Sequence, residues 1–130
     1  MTNDMTTIAP HMMGCCPFGL FGLVAGFLSM AAPLGLSKAA AKGQGLNFDT
    51  HFKKTEGWYS SMRVGAKHSG YKVLVEQGTG RILGAHLIGP GSEEQINLFA
   101  MAMGAGLTAN QIKAMIFAYP SFASDIGEMV

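Results

Sequence analysis

The stretch that decides the fold runs from residue 71 to residue 88 and reads YKVLVEQGTGRILGAHLI. Two apolar runs flank a tetrapeptide with two glycines, which is the pattern of a β-hairpin. Strict alternation puts Tyr71, Val73 and Val75 on one face of the first run. In the second run it puts Leu83, Ala85 and Leu87 on one face. The other face of the second run then carries Ile82, Gly84, His86 and Ile88. Strands that are apolar on both faces are usually covered on both. The rest of the chain can supply one cover, and another copy of the chain is a candidate for the second.

The composition indicates one domain that is poor in charge. Of its 130 residues 48% are hydrophobic and 13% are charged, and the formal net charge is +1. Because no basic cluster accompanies this balanced charge, a nucleic-acid partner is not expected. Among the formally charged residues only Asp4 precedes Lys38. Residues 1–36 therefore differ in composition from residues 37–130.

The N-terminal segment contains an uncharged, apolar run over residues 18–36, which is close to the length that crosses a bilayer. Four glycines and Pro33 interrupt this run, and no basic residues precede it as a secretory signal requires. Two interpretations therefore stand. The chain is either cytoplasmic with an apolar extension, or anchored in a membrane with its folded part in the cytoplasm.

The cysteines and histidines do not show the spacing of a metal or redox centre. Cys15 and Cys16 are adjacent, and a disulfide between neighbours would strain the peptide, so we expect both thiols to be inert. A metal site is not expected, because no His/Cys cluster has zinc spacing. His86 is interpreted as a structural residue of its strand. Glycine-rich nucleotide motifs and a nucleophile elbow are also absent from the sequence, so no self-sufficient active site is predicted.

Local patterns predict the elements before the hairpin. Ser37 is expected to cap a short helix that continues to Lys42. Residues 47–53 are predicted to form a half-buried strand with Phe48 and Phe52 inward and with Asp49, His51 and Lys53 toward water. Residues 59–64 are interpreted as an edge strand.

After the hairpin the apolar period changes from two to about 3.6, which predicts helices. Ser92 with Gln95 and Thr108 with Gln111 have the spacing of capping boxes, and each predicts a helix start. The second of these helices is expected to turn Ile112, Met115 and Ile116 inward and to end at Pro120. A third short helix is predicted to begin at Ser121 and to reach the C-terminus.

From Gly35 onward the sequence resembles the C-terminal interface domain of the flavin-dependent pyridine nucleotide-disulfide oxidoreductases, the family of glutathione reductase, mercuric reductase and dihydrolipoyl dehydrogenase. The residues that carry the resemblance are Gly35-Leu36-Ser37, residues 39–41, residues 57–61, residues 71–75, residues 79–86, residues 88–90, Glu93-Glu94, Ile96-Asn97, residues 106–109 and Tyr119-Pro120-Ser121. The run of residues 79–86, TGRILGAH, followed by Gly89-Pro90 is the most specific part.

The resemblance implies an α+β fold in which helices pack on an antiparallel sheet. It implies two regions, an apolar extension over residues 1–34 and a dimerisation domain over residues 35–130. The predicted dimer interface includes Phe99, Met103 and Ile116, which lie on apolar helix stripes. The family binds FAD and NAD(P) upstream of this domain and carries a redox-active cysteine pair there. Cys15 and Cys16 lack that pair's four-residue spacing, so no cofactor is expected on this chain alone.

The resemblance also implies a position for catalysis. Many members of the family place a His-Pro-Thr from this domain against the partner subunit's flavin, where the histidine acts as a general acid or base. At the matching positions this chain has Tyr119, Pro120 and Ser121, with Ser124 at the position of a family glutamate and Asp125 one residue later. A phenol is a weak base near neutral pH, so Tyr119 is a poor replacement for the histidine.

Three functions follow from these observations. The first is a homodimerisation module without its own FAD, NAD(P) or redox-cysteine sites. The second is a subunit fragment that acts with a separate chain carrying FAD and NAD(P), toward which it presents Tyr119. The third is a membrane-tethered form of the same domain.

Overall fold

The computed structural model describes residues 31–130, which form a four-stranded antiparallel sheet packed against short helices. The strands are β1 (Ala31–Gly35), β2 (Phe48–Lys54), β3 (Gly70–Glu76) and β4 (Ile82–Ile88). The helices are α1 (Lys38–Gly43), α2 (Tyr59–Arg63), α3 (Ser92–Gly104), α4 (Ala109–Lys113) and α5 (Ile126–Met129), with a 3-10 helix at Phe122–Asp125. The strand order in the sheet is β1-β4-β3-β2. The predicted α+β fold class is confirmed, whereas the predicted apolar extension over residues 1–34 lies almost entirely outside the described residues.

The predicted hairpin forms the centre of the sheet, but its second strand does not alternate strictly. Val75 pairs with Ile82, and the register shift at this point leaves Leu83 as an extra residue in β4. Such a bulge moves the following side chains by one position relative to the sheet faces. Ile82 therefore joins Ala85 and Leu87 in the core, which corrects the prediction that Ile82 lies on the opposite face.

The edge strand β1 crosses the predicted domain boundary between residues 34 and 35. It pairs with β4 along its whole length, and Leu34 packs against the core. After β1 the chain passes so close to β4 that a Cβ atom at Gly84 would lie 2.2 Å from the Leu36 carbonyl oxygen. Only glycine fits at that point, and this contact fixes β1 on the edge of the sheet.

The apolar run over residues 18–36, which we considered as a membrane span, reaches the described part of the chain only at its end. Residues 31–35 of that run form β1, and the remainder lies outside the described residues. Within residues 31–130 no helix is long and apolar enough to cross a bilayer.

The core lies between one face of the sheet and helices α3, α4 and α5. Phe99 of α3 is its largest fully buried side chain, with 0% of its surface exposed. The core cluster consists of Tyr71, Val73, Val75, Ile82, Ala85, Leu87, Phe99, Ala102, Ala109, Ile112, Ile126, Met129 and Val130. Because these residues come from the hairpin, from α3, α4 and α5 and from the C-terminal Val130, the hairpin and the C-terminal half of the chain stabilise each other.

Strand β2 forms where it was predicted, but its two faces are reversed. His51 pairs with Val73 in the ladder and therefore shares the face that carries the helices. Phe52 pairs with Lys72 on the opposite face, where 69% of its surface is exposed. The charged residues of β2 can lie on the sheet face that carries the helices because β2 is an edge strand. Lys53, for example, places its ammonium group 5.8 Å from the centre of the Trp58 ring.

Residues 59–63 form helix α2 rather than the predicted edge strand. The two serines of this helix are buried and use their hydroxyl groups for distant contacts. Ser61 Oγ lies 3.1 Å from Ser69 Oγ, and Ser60 Oγ donates to the Asp125 carboxylate. Buried serines give no apolar period, so the sequence pattern does not reveal this helix.

Two of the three predicted helix caps are confirmed. The Ser37 hydroxyl accepts from the Ala40 amide at 3.1 Å, and Thr108 forms a capping box with Gln111 at the start of α4. The prediction for Ser92 and Gln95 is wrong, because the N-cap of α3 is Gly91.

A long-range contact replaces the predicted cap of α3. The Gln95 side-chain amide donates to the Phe122 carbonyl oxygen at 2.6 Å. Gly91 has a φ of 76°, and a Cβ atom there would lie 2.5 Å from the Phe122 ring. The C-terminal segment is thus held against the start of α3 by one hydrogen bond and one close ring contact.

Helix α4 is shorter than predicted and ends at Lys113. Ile112 is buried as expected, but Met115 is exposed and Ile116 has 100% of its surface exposed. The prediction that Met115 and Ile116 face inward is therefore wrong. The third helix begins as predicted, since Ser121 caps the 3-10 helix that leads into α5.

Candidate functional site

The segment that the resemblance matches to the family's catalytic histidine, residues 114–121, is an exposed connection between α4 and the 3-10 helix. Its start is fixed by the buried side chain of Ile112. Its end is fixed by Ser121, which donates to the Ala118 carbonyl oxygen at 2.5 Å and accepts from the Ser124 amide at 3.2 Å. The peptide bond between Tyr119 and Pro120 is cis. The structure thus holds Tyr119, Pro120 and Ser121 together in one turn at the protein surface.

Tyr119 is presented to solvent on a second aromatic ring. Its ring stacks on the ring of Tyr59, the first residue of α2, with the centroids 6.0 Å apart and the planes inclined by 29°. Of the Tyr119 surface 74% is exposed. Within residues 31–130 its hydroxyl group has no hydrogen-bond partner, so no neighbouring base polarises it. The arrangement can contact another molecule through the ring, but it does not form a proton-transfer pair by itself.

The residues near the family's glutamate position are engaged in structural contacts. Ser124 Oγ donates to the Ser121 carbonyl oxygen at 2.6 Å, and the Asp125 carboxylate accepts from Ser60 Oγ. Burial raises the pKa of Asp125, and the hydrogen bond from Ser60 opposes this rise. Asp125 therefore ties the C-terminal segment to α2 and does not orient Tyr119.

The raised pKa of Asp125 gives a prediction on stability. A carboxyl whose folded pKa lies above its unfolded value contributes stability that is fully present below the unfolded value and lost as the pH rises through the folded pKa. The Asp125→Asn variant keeps an acceptor for Ser60 and removes the partly buried charge. We expect its melting temperature to match wild type at low pH and to exceed it by a few degrees near neutral pH.

Thermal unfolding monitored by circular dichroism between pH 3.5 and pH 7 checks this expectation. The Asp125→Ala variant, which removes the acceptor, is the matched comparison and is expected to be less stable at both ends of the range. A variant Asp125→Asn that is destabilised equally at every pH would contradict the assignment.

A cleft of about 440 Å³ lies beside the 114–121 segment, between α4 and α5. Its lining residues are Lys113, Met115, Phe117, Ser124, Gly127 and Glu128. The lining combines one cation, one anion and apolar side chains, without converging donors that would select a particular ligand. Within residues 31–130 no group of three His, Cys, Asp or Glu side chains is placed to hold a metal ion.

The three residues predicted at a dimer interface occupy different environments. Phe99 is fully buried in its own protomer, so the structure removes it from the set of surface contacts. Met103 is partly buried against the core. Ile116 is fully exposed and is available to another molecule. For Met103 and Ile116 the interface role stays a prediction.

The outer face of α3 is not represented among the residues predicted for the dimer interface. Met101 lies two residues from Phe99 on the opposite side of the helix, and 70% of its surface is exposed. The residues that share this face are Asn97, Ala100, Met101, Gly104 and Ala105, and all five are exposed. Their spacing of three and four residues was visible in the sequence, but the apolar residues on the buried side made the exposed side hard to recognise.

His86 has the structural role that its strand position predicted. Its Nε2 atom lies 3.1 Å from the Leu36 carbonyl oxygen. This contact joins β4 to the end of β1 at the same place where Gly84 allows the two backbones to approach.

Comparison with known proteins places the chain in a family. Residues 28–130 match the family model described as pyridine nucleotide-disulphide oxidoreductase, dimerisation domain. The chain therefore belongs to this family, and the resemblance found in the sequence is confirmed. The matched range begins just before β1 and therefore includes all four strands of the sheet.

Two curated relatives show how much of a longer protein the chain represents. The chain is 38% identical over 99 residues to an uncharacterized 19.7 kDa protein in the mercuric resistance operon of Staphylococcus aureus. The matched residues cover 76% of this chain and 55% of that protein. The chain is 39% identical over 57 residues to mitochondrial dihydrolipoyl dehydrogenase from Sus scrofa, and the matched residues cover 44% of this chain and 11% of that enzyme. The chain thus spans about half the length of the first relative and a small part of the second.

Solved structures agree with the fold. The HOCl-induced flavoprotein disulfide reductase RclA from Escherichia coli superposes with a TM-score of 0.72 at 24% identity, covering 76% of this chain and 23% of that one. LpdA from Mycobacterium tuberculosis superposes with a TM-score of 0.71 at 20% identity, covering 78% and 22%. At these identities the likeness shows that the fold is shared.

Proposed function

We propose that this chain is a homodimerisation module that has no FAD site, NAD(P) site or redox-active cysteine pair of its own. The observation that carries the proposal is the uncharged outer face of α3, in a chain that belongs to a family defined by its dimerisation domain. A single exposed apolar residue is common on soluble proteins, whereas a whole uncharged helix face is not.

The outer face of α3 has the properties of a helix-packing surface. Glu93 and Glu94 lie in the first turn, where they suit the positive end of the helix dipole. After them the exposed side of the helix carries no charge up to its end. A Cβ atom at Gly104 would have no neighbour within 4 Å, so a second helix can approach closely there. Met101 projects from the middle of this face and supplies an apolar side chain to bury.

The 114–121 segment supplies a second apolar surface. Its exposed side chains include Met115, Ile116 and Tyr119, and residues 114–121 contain no charge. An isologous interface uses each patch twice, so two modest patches per protomer can bury the area of a stable dimer. These features support self-association rather than a solvated surface.

The sequence supports the expected lack of cofactor sites. Cys15 and Cys16 are the two cysteines of the chain and are adjacent, which does not match the spacing of the family's redox pair. The chain corresponds to less than a quarter of the RclA and LpdA structures that it resembles. The resemblance places the family's FAD and NAD(P) sites upstream of the dimerisation domain, outside the part that this chain matches.

One observation favours the alternative, a subunit fragment that acts with a separate chain carrying FAD and NAD(P). Tyr119 lies at the family's histidine position, is exposed, and is held in place by Tyr59. A ring presented in this way can pack against a flavin-bearing partner. Co-purification from the native source distinguishes the two functions, because a partner would bring visible flavin absorbance and a homodimer would be colourless.

The proposal is tested with two differently tagged copies of the full chain, expressed together and purified through one tag. We expect the second copy to co-elute, and we expect the colourless product neither to bind added FAD nor to oxidise NADPH. A mixture of separately purified copies, analysed at once, controls for exchange during purification. Flavin-dependent turnover by the lone chain, or no co-elution at all, would contradict the proposal.

A further inference from the structure

The sheet face opposite the helices carries a cleft of about 360 Å³ near the ends of the strands. We call it the sheet cleft and define it by Phe52, Lys54, Gly70, Lys72, His86 and Ile88, which all line it. The strand register places these residues on one face. Phe52, Lys72 and His86 form one row across the sheet, and Lys54, Gly70 and Ile88 form the next.

Gly70 forms the floor of the sheet cleft. Lys54 and Ile88 flank it directly on the neighbouring strands, and Lys72 follows two residues later on β3. Because Gly70 has no side chain, the five residues around it enclose a depression. A Cβ atom at Gly70 would lie 3.0 Å from the Lys53 carbonyl oxygen, so the same position also brings the β2 backbone close.

Two lysine side chains border the depression, Lys54 and Lys72. Lys54 and Lys72 are diagonal neighbours across β2 and β3, a relation that separates the two residues by roughly 7–8 Å. Lys72 lies directly opposite His86 on β4. Glu56 is the one carboxylate in the lining, and within residues 31–130 neither lysine forms an ion pair. Both ammonium groups are therefore available to pair with the carboxylates of a bound ligand.

Apolar surface lies beside these charges. Phe52 is 69% exposed and Ile88 is 46% exposed, on opposite sides of Gly70. A ligand that places carboxylates on the lysines can therefore bury an aromatic or large aliphatic side chain against Phe52 or Ile88. Burial of that side chain adds a hydrophobic contribution to the ion pairs.

We propose that the sheet cleft binds an acidic peptide segment of a partner protein, in which an aromatic or large aliphatic residue lies next to glutamate or aspartate. The cleft is open along the sheet and suits an extended chain better than an enclosed small molecule. Its position opposite the helices leaves the outer face of α3 free for the proposed dimer. The inference does not depend on the proposed function.

The test is fluorescence anisotropy of the full-length chain with a fluorescein-labelled octapeptide that alternates glutamate with phenylalanine. We expect saturable binding that weakens as salt is raised, because exposed ion pairs are screened. The Lys54→Gln and Lys72→Gln double variant is expected to bind about tenfold more weakly, as the loss of two exposed ion pairs implies. Phe52→Ser, which changes an exposed side chain, is expected to weaken binding while the chain stays folded.

The matched control is Lys38→Gln with Lys42→Gln, which removes the same charge from α1 outside the cleft. It is expected to bind the peptide like wild type, and the peptide with glutamine in place of glutamate is expected to bind far more weakly. An equal loss of peptide affinity in both double-lysine variants would show a non-specific charge effect and overturn the proposal. Absence of peptide binding, as would occur if another part of the chain or a second copy filled the cleft, would also overturn it.

Discussion

Replacing Phe99 with alanine is expected to lower the free energy of unfolding by about 3–5 kcal/mol, the cost of removing a large buried aromatic side chain. Phe99 has no exposed surface and contacts the core formed by the hairpin and the C-terminal helices. Domains of this size have a total stability of about 5–15 kcal/mol. Phe99→Glu, which buries a charge at the same place, is therefore expected to abolish the folded state.

Urea unfolding followed by far-ultraviolet circular dichroism measures both effects. Asn110→Glu is the control, because Asn110 is exposed on helix α4 and lies outside the proposed interface. We expect the control to keep a cooperative transition close to that of wild type. A folded Phe99→Glu variant of wild-type stability would show that the core is not organised around α3.

The second large effect is expected at the proposed dimer interface. Combining Met101→Glu with Ile116→Glu places four charges in an isologous interface, since each substitution occurs twice. If each desolvated charge costs about 1–2 kcal/mol, the dissociation constant rises by about three orders of magnitude or more. Both side chains are exposed in the protomer, so the variant is expected to stay folded.

Size-exclusion chromatography with light scattering measures this change directly. The control combines Gln44→Glu with Asn110→Glu, two exposed positions outside the proposed interface, and adds the same charge. We expect the control to keep the mass of wild type and the interface variant to fall to half of it. An equal fall in both would indicate general charge repulsion rather than a specific surface.

The parts of the fold that could be predicted are those governed by local chemistry. The hairpin was visible because two apolar runs flank a glycine-containing turn, and the cap at Thr108 was visible because both partners lie within four residues. The cap at Ser92 failed because Gln95 bonds instead to Phe122, far along the chain. The bulge at Leu83 likewise depends on how β4 fits β3.

The candidate site also has parts that could be predicted from the sequence and parts that could not. The resemblance placed Tyr119 at the position of the family's histidine, but the partner ring of Tyr59 lies 60 residues earlier and no local pattern connects them. The sequence also left open which side of α3 is buried, because Phe99 and Met101 are both large and apolar. The structure assigns Phe99 to the core and Met101 to the surface. For this reason the proposed interface uses Met101 on the outer face of α3 in place of Phe99.

Sedimentation equilibrium of the full-length wild-type chain over a wide concentration range is the most direct test of self-association. We predict a species of twice the 13.7 kDa chain mass that dissociates only at low concentration. The variant with Met101→Glu and Ile116→Glu is predicted to remain a monomer throughout the range. A wild-type chain that stays at 13.7 kDa at every concentration would contradict the account.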